Sequence, residues 1–325
     1  MSPSASVCGR LAPSPTGYIH LGNVWAFLLA WLAARSAGGR VILRLEDIDP
    51  QRSRPVYADA MLEDLRWLGL DWDEGPDVGG PAGSYRQSQR GALYAAAVQR
   101  LEAAGLVYPC FCTRRELRQL AGAPHLDDAG APYPGTCRDL SAEECAAHRA
   151  SGRKASLRLR CPSEPLCFID LALGPQEASL VHCGGDFALR RSDGVWAYQL
   201  AVAVDDALMG VTQVVRGRDI LPSTPRQLAI LALLGYAAPQ YGHVPLLLDG
   251  DGERLAKRHQ SLAIRELRQQ GADARRIVGF LGWCAGLLPV RQAASPAELL
   301  PRFAWERLPK DDQLCRREDV ATFFA

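Results

Sequence analysis

The sequence predicts an α/β fold: a Rossmann-type parallel sheet interrupted by an inserted, cysteine-bearing β subdomain and followed by a short helical C-terminal region. Three observations predict it. Strand, helix, strand and helix patterns alternate through residues 7–68, as in units that wind a parallel sheet. A Pro/Gly-rich turn joins the first strand to the first helix. From about Tyr94 the character changes: a helix leads into a cysteine-bearing loop and short β-like runs, and the helical pattern resumes at residues 199–207.

Each element has its own signal. Residues 7–12 form a short apolar run, read as a buried strand. Val24, Phe27, Leu28, Trp31 and Leu32 then recur at helical spacing until Gly38-Gly39 stops the helix. Residues 40–46 alternate as a strand, and residues 57–68 are again helical. A helix at 95–104 leads into a loop rich in Gly, Pro and Asp that carries Cys110, Cys112 and Cys137. Short strands are expected at 155–160, 167–173 and 187–191, the last closed by the turn Asp193-Gly194. Residues 199–207 and 225–234 are helical, and 244–248 should be a strand running into Asp249-Gly250-Asp251-Gly252. Beyond Ser261 only helices with short loops are expected. The implied division is 1–93 and 186–262 for the two halves of the main domain, 94–185 for the insertion and 263–325 for the tail.

Bulk composition narrows the function classes. A chain of 325 residues with 48% hydrophobic content can bury substantial cores. Its 37 basic and 36 acidic residues give a net charge of +1, so nucleic-acid binding would need local patches. The ten cysteines form no regular framework, and reduced thiols in a cytoplasmic protein are the expectation. No basic segment followed by an apolar stretch opens the chain, and the apolar run 24–34 is too short to span a bilayer, so no signal peptide and no membrane association are expected.

Two segments carry the chemistry. The first is Ser14-Pro15-Thr16-Gly17-Tyr18-Ile19-His20-Leu21-Gly22-Asn23, which leads from a strand into a helix N-terminus. Backbone N–H groups and the helix dipole favour phosphate there, and small residues allow close approach. The second is the cationic Arg254-Leu255-Ala256-Lys257-Arg258-His259. Alone it would read as a solvated charge cluster; with His20 upstream, the two segments suit the triphosphate of ATP. Residues 249–253 have the acidic look of a calcium loop but lack the length and terminal Glu of an EF-hand, so a tight turn is expected.

A third constellation is Cys110-x-Cys112 followed by Tyr133-x-x-x-Cys137 in a loop with little else to hold it together. A lone C-x-C is weak, since buried unreactive cysteines are common. Three thiolates are candidate ligands for one structural Zn2+, and general chemistry leaves the fourth ligand open, with His125 or His148 the conventional choices.

The segment from Gly9-Arg10-Leu11-Ala12-Pro13 to His20-Leu21-Gly22-Asn23 resembles the "HIGH" region of class I aminoacyl-tRNA synthetases, and in particular their glutamyl branch. Arg44-Leu45-Glu46-Asp47-Ile48-Asp49, Asp64-Leu65-Arg66-Trp67-Leu68-Gly69-Leu70, Tyr85-Arg86-Gln87-Ser88 and Val215-Arg216-Gly217-Arg218-Asp219 are similar to that branch too. Residues 254–258 resemble its "KMSKS" loop, with Arg254 where Lys is frequent and Ala256 where Ser is usual. The resemblance implies an ATP site at Pro13, Thr16, Gly17, His20, Gly22, Asn23 and Lys257, with Mg2+ accompanying the nucleotide and His20 and Lys257 as the catalytic pair. It implies a site for L-glutamate at Arg10, Ala12, Ser14, Glu46, Tyr198 and Arg216. Guanidinium groups there have a physical reason, because Arg grips carboxylates bidentately. For the zinc set Cys110, Cys112 and Cys137, it implies Tyr133 as the fourth ligand.

The segment after the Lys257 loop is expected to be too short for an anticodon-reading helical domain, and with the Cys-x-Cys…Tyr-x-x-x-Cys element the pattern is similar to the glutamyl-Q tRNA(Asp) synthetases. That family activates glutamate without tRNA and attaches it to queuosine at the wobble position of tRNA(Asp), and its resemblance implies a ligase acting on ATP, L-glutamate and that RNA, expected to be a monomer. A truncated glutamyl-tRNA synthetase charging a tRNA 3′ end, and a non-catalytic RNA-binding module, are the alternatives. RNA phosphates would meet Arg114, Arg115, Arg118, Arg158, Arg160, Arg190 and Arg191.

Overall fold

The computed structural model describes residues 6–113, 115–117, 133–181, 183–255 and 262–324. The strands, in chain order, are β1 Cys8–Leu11, β2 Arg40–Leu43, β3 Val107–Cys110, β4 Ser156–Leu159, β5 Leu166–Asp170, β6 Gly174–Ala178, β7 Ala188–Arg190, β8 Gln213–Gly217, β9 Gln240–Val244, β10 Leu247–Asp249 and β11 Gln313–Cys315. The helices are α1 Leu21–Ser36, α2 Pro55–Trp67, α3 Gly91–Ala103, α4 Ala142–Ala150, α5 Tyr198–Leu208, α6 Thr224–Leu233, α7 Ile264–Gln269, α8 Ala274–Cys284, α9 Pro296–Leu299 and α10 Arg317–Ala321.

A parallel core emerges from β1, β2, β8 and β9. β1 pairs with β2 and β8 pairs with β9, both in parallel. The two pairs are stitched together where Thr212 N donates to Cys8 O at 2.9 Å and Cys8 N donates to Thr212 Oγ1 at 2.8 Å. β5 joins the far side of β9 through Asp170 and Tyr241, and β6 lies antiparallel at the edge. Pro175 is tolerated in β6 because an edge strand has an unpaired side. Helix α1 is buried on nearly every face, between this sheet and the C-terminal helices, in a core that includes Trp25, Leu28, Phe280 and Leu281. Each such large apolar side chain contributes about 1.5–3 kcal/mol. Gly9 permits the close seating: a Cβ there would meet Ala34 Cβ at 2.7 Å. The helix that starts at the His20 turn is therefore fixed along its whole length.

Several elements depart from the sequence reading. The expected strand 244–248 is broken at Pro245, which has no N–H to donate; β9 ends before it, and β10 pairs instead with β11. β11 sits in the tail expected to be wholly helical, where three residues after a polar loop give no periodic signal. Cys110 closes strand β3, antiparallel to β4, where only a loop was expected. The expected strand at 167–173 is β5, which joins the parallel sheet and does not pair with β4 or β7. Helix α4 was not foreseen although Ser141 and Glu144 form a capping box at its start. The turn at Asp193-Gly194 is as expected, with Arg191 N donating to Val195 O at 2.8 Å.

Asp64, on α2, is fully buried, and Arg268 Nη1 lies 3.7 Å from its Oδ1. Burial pushes its carboxyl up to about 6, with Arg265 and Arg268 opposing. A carboxyl raised on folding binds its proton more tightly in the folded state, so its charged form costs stability as pH climbs through about 6. Asp64→Asn is expected to stabilise the protein by about 1–2 kcal/mol at pH 8 and by little at pH 4, read from urea unfolding at both values. An equal shift at the two pH values would refute it.

Candidate active site

The candidate site residues lie where the parallel strands end. β1 supplies Arg10, the segment after β2 supplies Arg44 and Glu46, β8 supplies Arg216 and β9 supplies His243. Open α/β sheets bind ligands at the carboxyl ends of their strands.

Arg10, Arg44, Glu46 and Asp206 form one buried network. Arg44, with no exposed surface, donates to Asp206 Oδ1 at 2.7 Å and to Glu46 Oε1 at 3.1 Å. Arg10 Nη1 donates to Val215 O at 3.1 Å, while its Nε lies 3.7 Å from Asp206 Oδ1 and makes no hydrogen bond. Burial lowers the Arg10 guanidinium from its ordinary value, and it raises the Glu46 carboxyl against the pull of Arg44 and Arg10. Tyr198 starts α5 at the edge of this group. The residue is 36% exposed, but atoms packed around the hydroxyl, and then Glu46, raise its phenol.

Arg216 is 4% exposed, yet every hydrogen-bond partner it has among the described residues is neutral. Its Nε donates to His243 Nε2 at 3.1 Å, Nη1 to Gln227 Oε1 at 2.9 Å and Nη2 to Thr224 Oγ1 at 2.8 Å. The Tyr241 ring lies 5.2 Å beneath the guanidinium. A buried cation is costly unless an anion meets it. Arg10 and Arg44 are paired with Asp206 and Glu46, whereas Arg216 reaches a carboxylate, that of Asp170, only through His243. A substrate carboxylate would place an anion directly against it.

The His20 turn stands beside this group. Pro13 O accepts from Glu46 N at 2.9 Å and Pro15 O from Arg54 N at 3.0 Å, which ties the turn to the segment after β2 and to the start of α2; within the turn Ser14 O accepts from Thr16 N at 2.8 Å. Ala12, Thr16 and Gly17 are partly exposed and Ser14 is exposed. Asn23 closes the first turn of α1, its Oδ1 accepting from His20 N at 3.1 Å. Gly22 matters by its lack of a side chain: a Cβ would meet the His20 ring at 3.2 Å and Leu255 Cβ at 3.6 Å.

Lys257, Ala256, Arg258 and His259 lie outside the described residues, but both flanks of their segment reach the His20 turn. Leu255 approaches Gly22, His20 bridges to Ala263, and Ile264 N donates to Ile19 O at 2.9 Å. Upstream, Arg254 Nη1 pairs with Asp219 Oδ2 at 3.3 Å. Asp249 begins the expected tight turn, its Oδ1 accepting from Asp251 N at 3.0 Å and Glu253 N at 2.9 Å.

Away from this pocket, Cys110, Cys112 and Cys137 have sulfurs within 4.8 Å of one another. Cys112 and Cys137 Sγ are 3.6 Å apart, close to the ~3.8 Å edge of a tetrahedron with ~2.3 Å zinc–sulfur bonds. Tyr133 Oη lies 3.3 Å from Cys110 Sγ and accepts from Cys137 N at 2.8 Å. Burial and the neighbouring Cys110 push Cys112 up to about 12, so the crowded thiols suit a cation that lets them ionise together. His148 stacks on Phe111 at 4.9 Å, and His125 lies outside the described residues. Asp186 clamps the site, accepting from Arg138 Nη1 at 2.6 and 2.8 Å and from Tyr108 Oη at 2.7 Å.

Of the arginines expected at RNA, Arg114 and Arg118 lie outside the described residues and Arg115 is exposed. The others are engaged within the chain. Arg158 lies 3.9 Å over the Tyr133 ring, Arg160 pairs with Asp139, Arg190 Nε donates to Gly194 O and Arg191 pairs with Asp49 and Asp193. The sequence reading missed Asp170, Thr224, Gln227, Tyr241 and His243. They are scattered through strand and helix segments without a motif, and only their convergence on Arg216 marks them.

Comparison with known proteins agrees with this geometry. The family described as tRNA synthetases class I (E and Q), catalytic domain, matches residues 6–320. A glutamyl-Q tRNA(Asp) synthetase of Nitratidesulfovibrio vulgaris is 62% identical over 301 residues, spanning 93% of this chain and 93% of that protein. One from Symbiobacterium thermophilum is 52% identical over 316 residues, 97% of this chain and 98% of that protein. The solved glutamate-tRNA synthetase of Elizabethkingia anophelis superposes with a TM-score of 0.84 at 26% identity, over 98% of this chain and 70% of that one. No helix among the described residues is long and apolar enough to cross a membrane. The chain belongs to the class I tRNA synthetases (E and Q), in the branch of the glutamyl-Q tRNA(Asp) synthetases.

Proposed function

We propose that this protein activates L-glutamate with ATP, without tRNA, and transfers the glutamyl group to queuosine at the wobble position of tRNA(Asp). The observation that carries the amino-acid half is Arg216, a buried cation with neutral partners beside Arg10 and Glu46. The RNA half rests on kinship with the glutamyl-Q tRNA(Asp) synthetases.

In this reading Arg10 and Arg216 take the carboxylates, Glu46 takes the ammonium and Tyr198 adds a phenolic hydrogen bond, with Ala12 and Ser14 lining the backbone approach. Pro13, Thr16, Gly17, His20, Gly22 and Asn23 shape the bed for the triphosphate. An oxygen of the glutamate α-carboxylate attacks the α-phosphorus of ATP, the α–β bond breaks, and pyrophosphate leaves. No protein nucleophile is needed, so catalysis is positioning and charge neutralisation. His20 and the N-terminus of α1 hold phosphate oxygens, and Lys257 meets the charge that grows on the leaving group. Magnesium accompanying ATP would neutralise part of the triphosphate charge. Queuosine then attacks the glutamyl carbonyl and AMP departs. We assign segment 94–185 to RNA contact and to one structural zinc held by Cys110, Cys112, Cys137 and Tyr133.

Glutamate-dependent exchange of pyrophosphate into ATP without tRNA tests the first step. Labelled glutamate offered with queuosine-containing and with unmodified tRNA(Asp) tests the second. Equal labelling of both RNAs, or attachment at the 3′ end, would sink the transfer assignment.

Protein purified without chelator is expected to carry about one zinc per chain by mass spectrometric metal analysis. Cys137→Ser should lose most of that metal and unfold at lower temperature. Wild-type protein free of zinc would remove the metal from this reading.

A further inference from the structure

Asp170 and His243 are buried behind the pocket, with 2% and 0% exposure, and glutamate binding as described above does not use them directly. Asp170 ends β5, and its carboxylate accepts from His243 N at 3.1 and 3.2 Å, from Ala172 N at 3.0 Å and from Leu173 N at 3.0 Å. Its Oδ2 lies 2.5 Å from His243 Nδ1. Burial alone would raise this carboxyl, but the bonds from His243 and the backbone hold it below its ordinary value. An anion at Nδ1 requires the proton there, which leaves Nε2 a bare acceptor. That nitrogen receives Arg216 Nε at 3.1 Å and sits 3.0 Å from Thr224 Oγ1, which itself accepts from Arg216 Nη2. The contacts fit one tautomer: Asp170 charged, His243 neutral with the proton on Nδ1, and the Thr224 hydroxyl sharing the Nε2 lone pair with Arg216 Nε–H. A proton on Nε2 would face the Arg216 N–H.

We propose that Asp170 and His243 are positioning residues, a relay that pins the Arg216 guanidinium so that one N–H on each terminal nitrogen stays available for a substrate carboxylate. Gln227 completes the fixation on the other side, its Nε2 donating to Gln199 Oε1 at 3.1 Å. The relay sits one shell behind the substrate and touches no reacting atom. It deepens the glutamate reading and rests on it.

The test compares His243→Leu with His243→Gln in glutamate-dependent pyrophosphate exchange. Loss of an acceptor for a charged donor should raise KM for glutamate about ten- to a hundredfold in His243→Leu, with KM for ATP within about twofold. His243→Gln, which can place an amide oxygen near the Nε2 position, should recover most of the loss. Both KM values rising together, with no recovery in His243→Gln, would indicate mere structural damage and overturn the relay. So would an unchanged KM for glutamate in His243→Leu. Should the variants not fold, 15N imidazole spectra of the wild-type chain decide: His243 protonated on Nδ1 alone supports the relay, and a proton on Nε2 overturns it. A wild-type chain that does not activate glutamate removes the proposed function, and this inference with it. An active wild type with an indifferent His243 removes the relay alone.

Discussion

Arg216→Ala is expected to lower kcat/KM for glutamate by about two to three orders of magnitude in pyrophosphate exchange. Truncating one member of a buried, hydrogen-bonded charge pair typically costs about 2–5 kcal/mol, much of it from the partner left uncompensated. Here the stranded partner is a substrate carboxylate left with Arg10, whose Nη1 already donates to Val215 O and whose Nε lies 3.7 Å from Asp206. Folding stability should respond in a different way. The variant loses three hydrogen bonds to His243, Gln227 and Thr224, but it also removes a buried cation that has no contacting carboxylate among the described residues. The two terms oppose each other, so unfolding free energy should move by no more than about 1–2 kcal/mol. Activity lost with stability largely kept is the signature of a ligand-directed charge. Near-normal kcat/KM would show that the dicarboxylate is held elsewhere.

Lys257→Ala is expected to reduce kcat for activation by at least about two orders of magnitude, the scale seen when one preorganised charge-stabilising group is removed. Its effect should fall on kcat, with KM for glutamate changing by only a few-fold, because the charge on departing pyrophosphate develops in the transition state. The reason to place the role at this loop is local. Leu255 and Ala263, on either side of Lys257 in the chain, both abut the His20 turn at the α1 N-terminus. Arg254, tied to Asp219, is held on the stem and cannot readily replace the missing ammonium. Exchange at the wild-type rate in this variant would exclude Lys257 from catalysis.

The legible part of the fold was the part built on local period and turn chemistry. Helix α1 followed from its apolar spacing and the Gly38-Gly39 stop, and the strand before it from a short apolar run. What could not be read was burial on nearly every face of α1, since its spacing pattern does not reveal that C-terminal helices cover its outer face. β11 was invisible for a related reason. Gln313-Leu314-Cys315 becomes a strand because β10 offers it a ladder, not because the three residues prefer to extend.

The candidate site divides in the same way. His20, Gly22, Lys257, Arg10, Glu46 and Arg216 stand in dense local patterns, so the sequence by itself determined the kinship and the kind of chemistry. Tertiary structure alone decided that Arg216 rests on neutral groups. His243, Thr224, Gln227 and Asp170 come from separate strands and helices, and their meeting is set by strand order and register. It likewise decided that Arg158, Arg160, Arg190 and Arg191, free charges when read along the chain, already have partners within it. The physical reason is that a side chain's identity is fixed locally, whereas the field and hydrogen bonds that give it a task come from neighbours distant in sequence.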